Sequence, residues 1–315
     1  MTRKNYVILT GGLGNQLFQV NYAKFIQERD GVPSLLLPCI GFPRRDSEGL
    51  PDSNLLTQDL VVVEGRSSMS NLLRRVSGFL LRLHLREYSN PFFSGLLLVL
   101  RALASLIFSL YFRRLTALNI PRDIGFDNPR RTRFLDRVHI GYFQSYRYGQ
   151  NIDFLRATET ELNSDFSELL ARIEKKSEAE KPVIVHVRLT DYREENNFGT
   201  LSQDYYKKAI EIVISQSEST NLWIFSDEPE DCMKFIPARF QQYSQVMNFS
   251  QLSPLQNLLL MRLGKGYVIA NSSYSWWACF SAGSMSLPVC APDPWFAGMR
   301  TPNHLIPDGW NVVHR

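Results

Sequence analysis

Residues 183–192, with the sequence VIVHVRLTDY, constrain the fold of this chain more than any other stretch. Residues 183–187 are β-branched except for one histidine, and a short run that is apolar on both faces is typical of a strand buried in a parallel sheet. Polar residues begin at Arg188. Ligands of open α/β sheets bind beyond the carboxyl ends of the strands, so an arginine at this point is well placed to hold an anion.

Two later segments repeat this layout. Residues 222–225 (LWIF) lead into Ser226 and Asp227, and residues 266–270 (GYVIA) lead into Asn271 and a group of serines. Asparagine and serine are preferred N-cap residues, and the start of a helix offers free backbone N–H groups and a partial positive charge. An arginine and a capped helix start that face one crevice would suit a phosphorylated ligand.

A glycine-rich turn follows the first predicted strand, residues 6–10. The segment GGLGNQLFQ, residues 11–19, predicts a turn into a helix from about Asn15 to Arg29. Gly12 and Gly14 would allow a tight turn and the close approach of a ligand to the backbone. The spacing is neither that of a Rossmann dinucleotide fingerprint nor that of a P-loop, so the turn alone is equally consistent with an ordinary strand-to-helix connection.

Length and charge limit the function classes. A chain of 315 residues with 44% hydrophobic content can build two cores, so we predict two domains, residues 1–150 and 151–315. The net charge of +4 is weak for this length, and we expect no nucleic-acid partner. The four cysteines are far apart and show no metal-ligand spacing, which favours free thiols in a reducing cytoplasm over a zinc site. The N-terminal apolar run is too short for a signal peptide.

A basic region interrupts the first half. Residues 71–115 are rich in leucine and phenylalanine and hold seven arginines against one glutamate. Residues 92–112 approach the length of a membrane span, but Arg101 at their centre opposes one. We therefore predict two helices that lie on a surface, and two alternatives stay open: a helical insertion packed on its own domain, or peripheral contact with an anionic membrane.

The remaining pattern predicts further elements. A helix with Ser202 as its cap should bury Tyr205, Tyr206 and the apolar residues that follow at helical spacing. The other expectations are strands at residues 34–37, 59–63 and 139–144 (HIGYFQ), a charged helix at 154–176 and a polar linker at 177–181.

Several motifs, taken in order, resemble those of the bacterial α-1,2-fucosyltransferases of glycosyltransferase family 11. They are GGLGNQLFQ, GYFQS, HVRLTDY with the downstream LSQDYYKKAI, FSDEPE, IANSSYSWWACF and APDPWF. The family motif at the central strand is HxRRGDY. His186, Arg188, Asp191 and Tyr192 match it, whereas Leu189 and Thr190 depart from it.

The resemblance implies an α/β fold of GT-B type, in which an acceptor-side and a donor-side Rossmann-like domain face a cleft. It implies that L-fucose moves from GDP-fucose, with inversion, to the 2-hydroxyl of an oligosaccharide or lipid-linked glycan acceptor in surface polysaccharide or O-antigen synthesis. The expected location is cytoplasmic, at the inner membrane face if residues 71–115 contact lipid. The donor-binding residues would be Gly12, Gly14, Asn15, His186, Arg188, Ser226, Asp227, Asn271, Ser272, Ser273 and Ser275.

The chemistry indicates which groups would act. Negative charge builds on the departing diphosphate, so the protein must supply fixed positive charge. The chain has no D-x-D segment for a metal ion, and we expect no metal or other cofactor, with Arg188 and the capped helix start in its place. Asp191 is the first candidate for the general base, although it could instead orient Arg188, and Asp227 is the second. Two alternatives remain: a transferase of the same fold with another nucleotide sugar, and a nucleotide-sugar-binding protein that has lost turnover.

Overall fold

The computed structural model describes residues 3–38, 60–62, 68–89, 94–128, 135–148, 164–190, 199–283 and 286–315. The chain divides into two compact units, Met1–Asp153 with Pro302–Leu305, and Phe154–Thr301 with Ile306–Arg315. The main division therefore lies three residues beyond the predicted domain boundary. Each unit holds a parallel sheet with helices, which confirms the α/β class. The predicted cleft between two domains stays a prediction.

The first unit contains a five-stranded sheet with the spatial order β3-β2-β1-β5-β4, and every pair of neighbours is parallel. Its strands are β1 (Asn5–Leu9), β2 (Ser34–Pro38), β3 (Val61–Val62), β4 (Thr116–Asn119) and β5 (Asp136–His139). Its helices are α1 (Leu13–Asp30), α2 (Ser68–Ser89) and α3 (Ser94–Phe112).

Alternation along β1 sorts these helices onto opposite faces of the sheet, because successive side chains of a strand point to opposite sides. Tyr6 and Ile8 lie in one core with residues of α2 and α3. Val7 and Leu9 lie in another core with residues of α1. The two helices of the basic region therefore form a layer on their own domain. No helix in the described parts of the chain is long and apolar enough to cross a bilayer.

The second unit contains a six-stranded parallel sheet with the order β11-β10-β9-β6-β7-β8. Its strands are β6 (Val183–Val187), β7 (Leu222–Ser226), β8 (Ser244–Val246), β9 (Gly266–Val268), β10 (Val289–Asp293) and β11 (Asn311–His314). Its helices are α4 (Ser164–Glu180), α5 (Gln203–Ser215), α6 (Ala238–Gln241), α7 (Pro254–Met261) and α8 (Ser273–Ser281).

The central strand and helix α5 follow their local sequence. All five residues of β6 are buried, and the strand lies between β7 and β9, which confirms the prediction of a buried parallel strand. Ser202 caps α5 and accepts a hydrogen bond from the backbone N–H of Tyr205 at 3.2 Å. The predicted buried face of α5 is confirmed. The Tyr205 hydroxyl donates to the carbonyl of Ile269 at 2.7 Å, so its polar end is satisfied inside the core.

Three predicted boundaries differ from those in the structure. A strand was predicted at residues 139–144, but β5 ends at His139. The residues that follow form a loop, in which Phe143 has a φ of 53°. Helix α4 continues to Glu180 through most of the predicted linker, where Ser177 is buried and its hydroxyl donates to the carbonyl of Leu263. Helix α1 begins at Leu13 rather than Asn15.

Other differences and gaps are smaller. Strands β4, β8, β10 and β11 were not predicted. Strand β3 (Val61–Val62) falls within the predicted residues 59–63, of which 59 and 63 lie outside the described residues. Residues 154–163 of the predicted helix 154–176 lie outside the described residues, as does Cys39. The remaining cysteines, Cys232, Cys279 and Cys290, are buried free thiols.

Candidate functional site

Arg188 leaves the sheet beside an acidic residue of the neighbouring strand. The parallel register pairs Val187 with Ser226, so the next residues along the two chains are Arg188 and Asp227. Their side chains form an ion pair with 3.3 Å between Arg188 Nε and Asp227 Oδ2. The Arg188 side chain is 33% exposed. A cation is therefore fixed at the carboxyl end of the central strand and remains accessible to solvent.

Asp227 also holds the turn that carries Arg188. Its carboxylate accepts hydrogen bonds from the backbone N–H groups of Leu189 and Thr190, each at 3.0 Å, and from the Thr190 hydroxyl. Burial opposes ionisation of Asp227, but Arg188 and these hydrogen bonds outweigh it and lower the pKa of the carboxyl. A carboxylate that is ionised so readily and has so many donors is a weak proton acceptor. The geometry favours a positioning role for Asp227 over that of a general base.

This turn accounts for both departures from the family motif. Leu189 is 1% exposed and packs in the core of the second unit, on the same side as Val185 and Val187. Position 189 therefore contributes apolar packing in this chain. The Thr190 hydroxyl donates to Asp227, so the residue that replaces glycine strengthens the turn.

His186 is a buried neutral histidine. It alternates with the core residues of β6 and lies near Tyr274, with 6.3 Å between the ring centroids. Burial, with the positive charge of Arg188 as the second cause, lowers the pKa of His186 to about 4. Its Nδ1 atom is buried and has no hydrogen-bond partner within the described ranges. At neutral pH the uncharged His186 ring can donate a hydrogen bond to a ligand or accept one from it. It cannot neutralise a negative charge on that ligand.

The start of α8 lies at the end of β9, the strand on the other side of β6. Ser272 is the N-cap and accepts a hydrogen bond from the backbone N–H of Tyr274 at 3.3 Å. Asn271 is 2% exposed, and its side-chain amide donates to the carbonyl of Gly199 at 3.4 Å. Ser273 begins the helix and is half-buried. The predicted cap is thus present, and its free backbone N–H groups belong to the same sheet edge as Arg188.

Two other predicted serines are engaged within the protein. The hydroxyl of Ser275 is fully buried and donates to the carbonyls of Ala270 and Ser272, at 3.4 and 3.2 Å. The hydroxyl of Ser226 accepts from the backbone N–H of Glu228 at 3.0 Å and so closes the turn after β7. Their roles in donor binding stay predictions, and these contacts show structural roles for both.

In the first unit, the glycine-rich turn is held by two glutamines. Gly11 has a φ of 79°, and Gln16 donates to its carbonyl at 2.7 Å. Gln19 accepts from the backbone N–H of Thr10 at 2.8 Å and donates to the carbonyl of Gly141 at 3.1 Å. The side chains of one helix therefore fix both the turn and the loop after β5.

Asn15 joins two of the sequence motifs. Its Oδ1 atom accepts a hydrogen bond from Gln144 Nε2 at 2.9 Å, which links GGLGNQLFQ to GYFQS. Gly14 is buried in the first turn of α1, whereas a Cβ added at Gly12 would meet nothing within 4 Å. Gly12 thus leaves open space beside the backbone, as the prediction requires.

The structure groups the predicted residues by unit. His186, Arg188, Ser226, Asp227 and the start of α8 share one sheet edge of the second unit, while Gly12, Gly14 and Asn15 belong to the first. Asp191 and Tyr192 lie outside the described residues, so the role of Asp191 as a base stays a prediction. Gln16, Gln19 and Gln144 were not among the predicted site residues. Their amide side chains inside two motifs were the available signal.

Residues 131–310 match the sequence profile of Glycosyl transferase family 11. The chain is 26% identical to the O-antigen biosynthesis glycosyltransferase WbnK of Escherichia coli over 322 residues, which cover 97% of this chain and 99% of that protein. It is 29% identical to an alpha-1,2-colitosyltransferase of Escherichia coli over 164 residues, or 50% of this chain and 55% of that protein. That match spans about half of the relative.

Solved structures that align with this chain include two glycosyltransferases. NodZ alpha-1,6-fucosyltransferase soaked with GDP-fucose gives a TM-score of 0.47 at 13% identity, with 96% of this chain and 98% of that chain covered. A glycosyl transferase of family 9 from Veillonella parvula gives a TM-score of 0.44 at 10% identity, with 99% and 87% covered.

Proposed function

Because this chain belongs to glycosyltransferase family 11, we propose that it transfers L-fucose from GDP-fucose, with inversion, to the 2-hydroxyl of an acceptor sugar. One observation carries the proposal: the family match at residues 131–310 contains the sheet edge where Arg188, Asp227 and the capped start of α8 come together. An alpha-1,2-linkage is also the one named for the colitosyltransferase relative.

In the proposed reaction the second unit stabilises the departing GDP. Breaking the bond between fucose and the diphosphate leaves negative charge on phosphate oxygens. Asp227 pairs with the Arg188 guanidinium through Nε, and one-third of the Arg188 side chain stays exposed to solvent. A guanidinium that is positioned in this way is suited to a bidentate contact with phosphate. The backbone N–H groups and the dipole at the start of α8 would add further positive potential. Neutral His186 would supply a hydrogen bond rather than charge.

The acceptor hydroxyl loses its proton in the same step, and we propose Asp191 as the base that removes it. The contacts of Asp227 support this choice, because they leave it poorly suited to the task. We also propose that no metal ion takes part. Transfer should then persist in EDTA. Loss of transfer in EDTA with recovery on addition of Mg²⁺ or Mn²⁺ would contradict this proposal.

We propose a glycan of O-antigen or surface polysaccharide synthesis, oligosaccharide or lipid-linked, as the acceptor. The relative WbnK, an O-antigen biosynthesis glycosyltransferase that matches along 97% of this chain, supports this choice. Such a substrate would be met at the cytoplasmic face of the membrane. A glycan array of lipid-linked and free acceptors, scored by GDP release, would test the proposal.

Nucleotide binding tests the donor. The melting temperature of the protein would be measured with GDP, UDP and CDP. A ligand at 100 times its dissociation constant stabilises the native state by about 2.7 kcal/mol. We expect GDP alone to raise the melting temperature. A response to UDP or CDP instead would indicate a donor that carries another nucleotide. The relative named as a colitosyltransferase supports a different alternative, in which the sugar differs, and a comparison of GDP-sugars as donors would test it. Binding of GDP-fucose without single-turnover release of GDP would show a binding protein.

Arg188→Ala tests the mechanism. Loss of one preorganised charged donor to a transition state costs about 100-fold to 1,000-fold in rate, and we expect a loss of this size. Arg239→Ala is the matched control, since Arg239 is an exposed arginine of the second unit that pairs with Glu211. Equal transfer rates for Arg188→Ala and wild type, at unchanged melting temperature, would remove Arg188 from the mechanism.

A further inference from the structure

Helices α2 and α3 expose a concentration of large apolar side chains. Within the described residues the exposed large hydrophobic side chains outside these two helices are Leu115, Tyr243 and Val312. Those on α3 are exposed by 54–71%, and those on α2 by 42% and 50%. We call this set the outer apolar face, and it consists of Leu72, Phe79, Leu98, Val99, Leu103, Leu106 and Leu110.

The outer apolar face is distinct from the face that packs on the sheet. Leu80 and Leu81 of α2 and Phe108 of α3 are buried in the core of the first unit. On α3, residues 99, 103, 106 and 110 recur at intervals of four, three and four, which places them on one side of the helix. The hydrophobic core of the unit is therefore built without them. Exposed apolar patches of this kind mark surfaces that bind a partner or a membrane.

The positive charge of residues 71–115 indicates which kind of partner would bind the outer apolar face. Residues 71–115 hold seven arginines and one glutamate. Arg75 and Arg82 are exposed on α2 and follow Leu72 and Phe79 at intervals of three, which sets them beside the apolar residues. Arg101, by contrast, interacts with the buried His84. Burial is the main cause that lowers the pKa of His84 to about 4, and the positive charge of Arg101 is the second cause.

A helical layer that exposes both large apolar side chains and arginines matches the interface of an anionic bilayer. Leucine and phenylalanine side chains enter the acyl boundary, and arginine side chains reach the phosphate groups. A second copy of this chain fits less well, because a two-fold interface would set the same arginines against each other with hardly any acidic partners. The sequence left open whether these helices pack on their domain or contact lipid. Their inner side packs on the domain, and their outer side is available for lipid.

We propose that the outer apolar face, together with Arg75 and Arg82, docks this protein on anionic phospholipid bilayers. The inference rests on the proposed function insofar as the acceptor is lipid-linked, because docking would then hold the enzyme at the surface that carries its substrate. The docking itself requires no glycosyl transfer, so the two proposals can fail separately.

The test is co-sedimentation with vesicles of phosphatidylcholine, either pure or with phosphatidylglycerol added. We expect binding to the anionic vesicles that weakens at high salt. Leu106→Glu with Leu110→Glu should lower the binding constant about tenfold or more, since it removes two apolar contacts and adds negative charge. Tyr243→Glu with Val312→Glu is the matched control and should bind like wild type. Arg75→Glu with Arg82→Glu keeps the apolar residues and should abolish the preference for anionic vesicles.

Two results would overturn docking, and the other outcomes separate it from self-association and from the proposed function. Wild-type protein that does not bind anionic vesicles, or a Leu106→Glu, Leu110→Glu variant that binds as well as wild type, overturns docking. A dimer in light scattering that this variant dissociates, without vesicle binding, shows self-association instead. If the variant does not fold, as judged by its melting temperature, the arginine pair decides alone. Transfer to a water-soluble acceptor is measured in parallel: vesicle binding without any transfer would overturn the proposed function and leave docking intact.

Discussion

Replacing Asp227 by asparagine would separate the two roles that a carboxylate at this sheet edge could have. The change removes one charge and keeps the shape of the side chain. In the structure, Asp227 pairs with Arg188 at 3.3 Å and accepts hydrogen bonds from Leu189 and Thr190. If Asp227 positions Arg188, the variant should bind the departing diphosphate more weakly. If Asp227 were the general base, the variant should lose proton transfer.

The two roles predict losses in different kinetic constants. Asp227 accepts from Leu189 through Oδ1 and from Thr190 through Oδ2, and asparagine keeps only one acceptor oxygen. A hydrogen bond to a charged group contributes about 1.5–3 kcal/mol and one between neutral groups about 0.5–1.5 kcal/mol, so one backbone bond would weaken by about 1 kcal/mol and the other would be lost at a cost of about 2 kcal/mol. The ion pair adds less, because Arg188 is one-third exposed and solvent screens it. A total of about 3 kcal/mol corresponds to about 150-fold in rate or affinity. Loss of a general base would lower kcat by about 100-fold to 10,000-fold.

Steady-state kinetics across pH, with GDP affinity measured separately, would distinguish the roles. We expect Asp227→Asn to weaken GDP binding and lower kcat/KM by about 150-fold, with the acid limb of the pH profile unchanged. Thr190→Val should show a smaller loss of the same kind, and Thr190→Ser, which keeps the hydroxyl, should restore activity. Loss of the acid limb with a larger fall in kcat at unchanged GDP affinity would make Asp227 the base and refute our argument.

Two further predictions concern stability. Gly125→Ala should lower the melting temperature by about 4–8 °C for a cost of about 2 kcal/mol, because a Cβ there would lie 2.6 Å from the backbone nitrogen of Asn303 and closer still to its carbonyl oxygen. Gly309→Ala, which meets nothing within 4 Å, should leave it unchanged, and equal melting of both would contradict the packing. Acid should destabilise the protein from about pH 6.5 downward, by up to about 1.4 kcal/mol per pH unit for each buried histidine, because the unfolded chain binds protons there and the folded chain does not. Burial lowers the pKa of three of them, His84 and His186 to about 4 and His139 to about 3. Melting curves from pH 7 to pH 5 check the slope, which His139→Gln should reduce and the exposed His314→Gln should not; a flat profile would be inconsistent with neutral buried histidines.

Asp227 shows why part of the site was beyond prediction. Its position after an apolar run indicated a strand end, but a carboxylate there could be a base, an anchor or a ligand contact. The register of β6 and β7 brings it beside Arg188, and the turn after β6 delivers the donors that occupy it. Side-chain roles of this kind depend on which residues meet across strands, and local sequence does not encode the register.

Long-range contacts also decided where elements end. The aromatic and apolar composition of residues 139–144 predicts a strand, but in the structure the strand ends at His139 and a loop follows. In the structure Gln19 reaches the carbonyl of Gly141 from 122 positions away, and the backbone N–H of Gln144 donates to the carbonyl of Ile124 at 2.8 Å. Helix α4 is extended in a similar way by the contact between Ser177 and Leu263.

The sequence by itself determined the α/β class, the buried central strand, the arginine at its end and the capped helices, because periodicity and capping are local properties of the chain. The tertiary structure alone decided that Asp227 holds the turn of Arg188, that Leu189 and Thr190 serve packing and hydrogen bonding, and that α2 and α3 bury one side and expose the other. These outcomes depend on the register between strands and on the packing of helices onto a sheet, which arise only when distant segments meet.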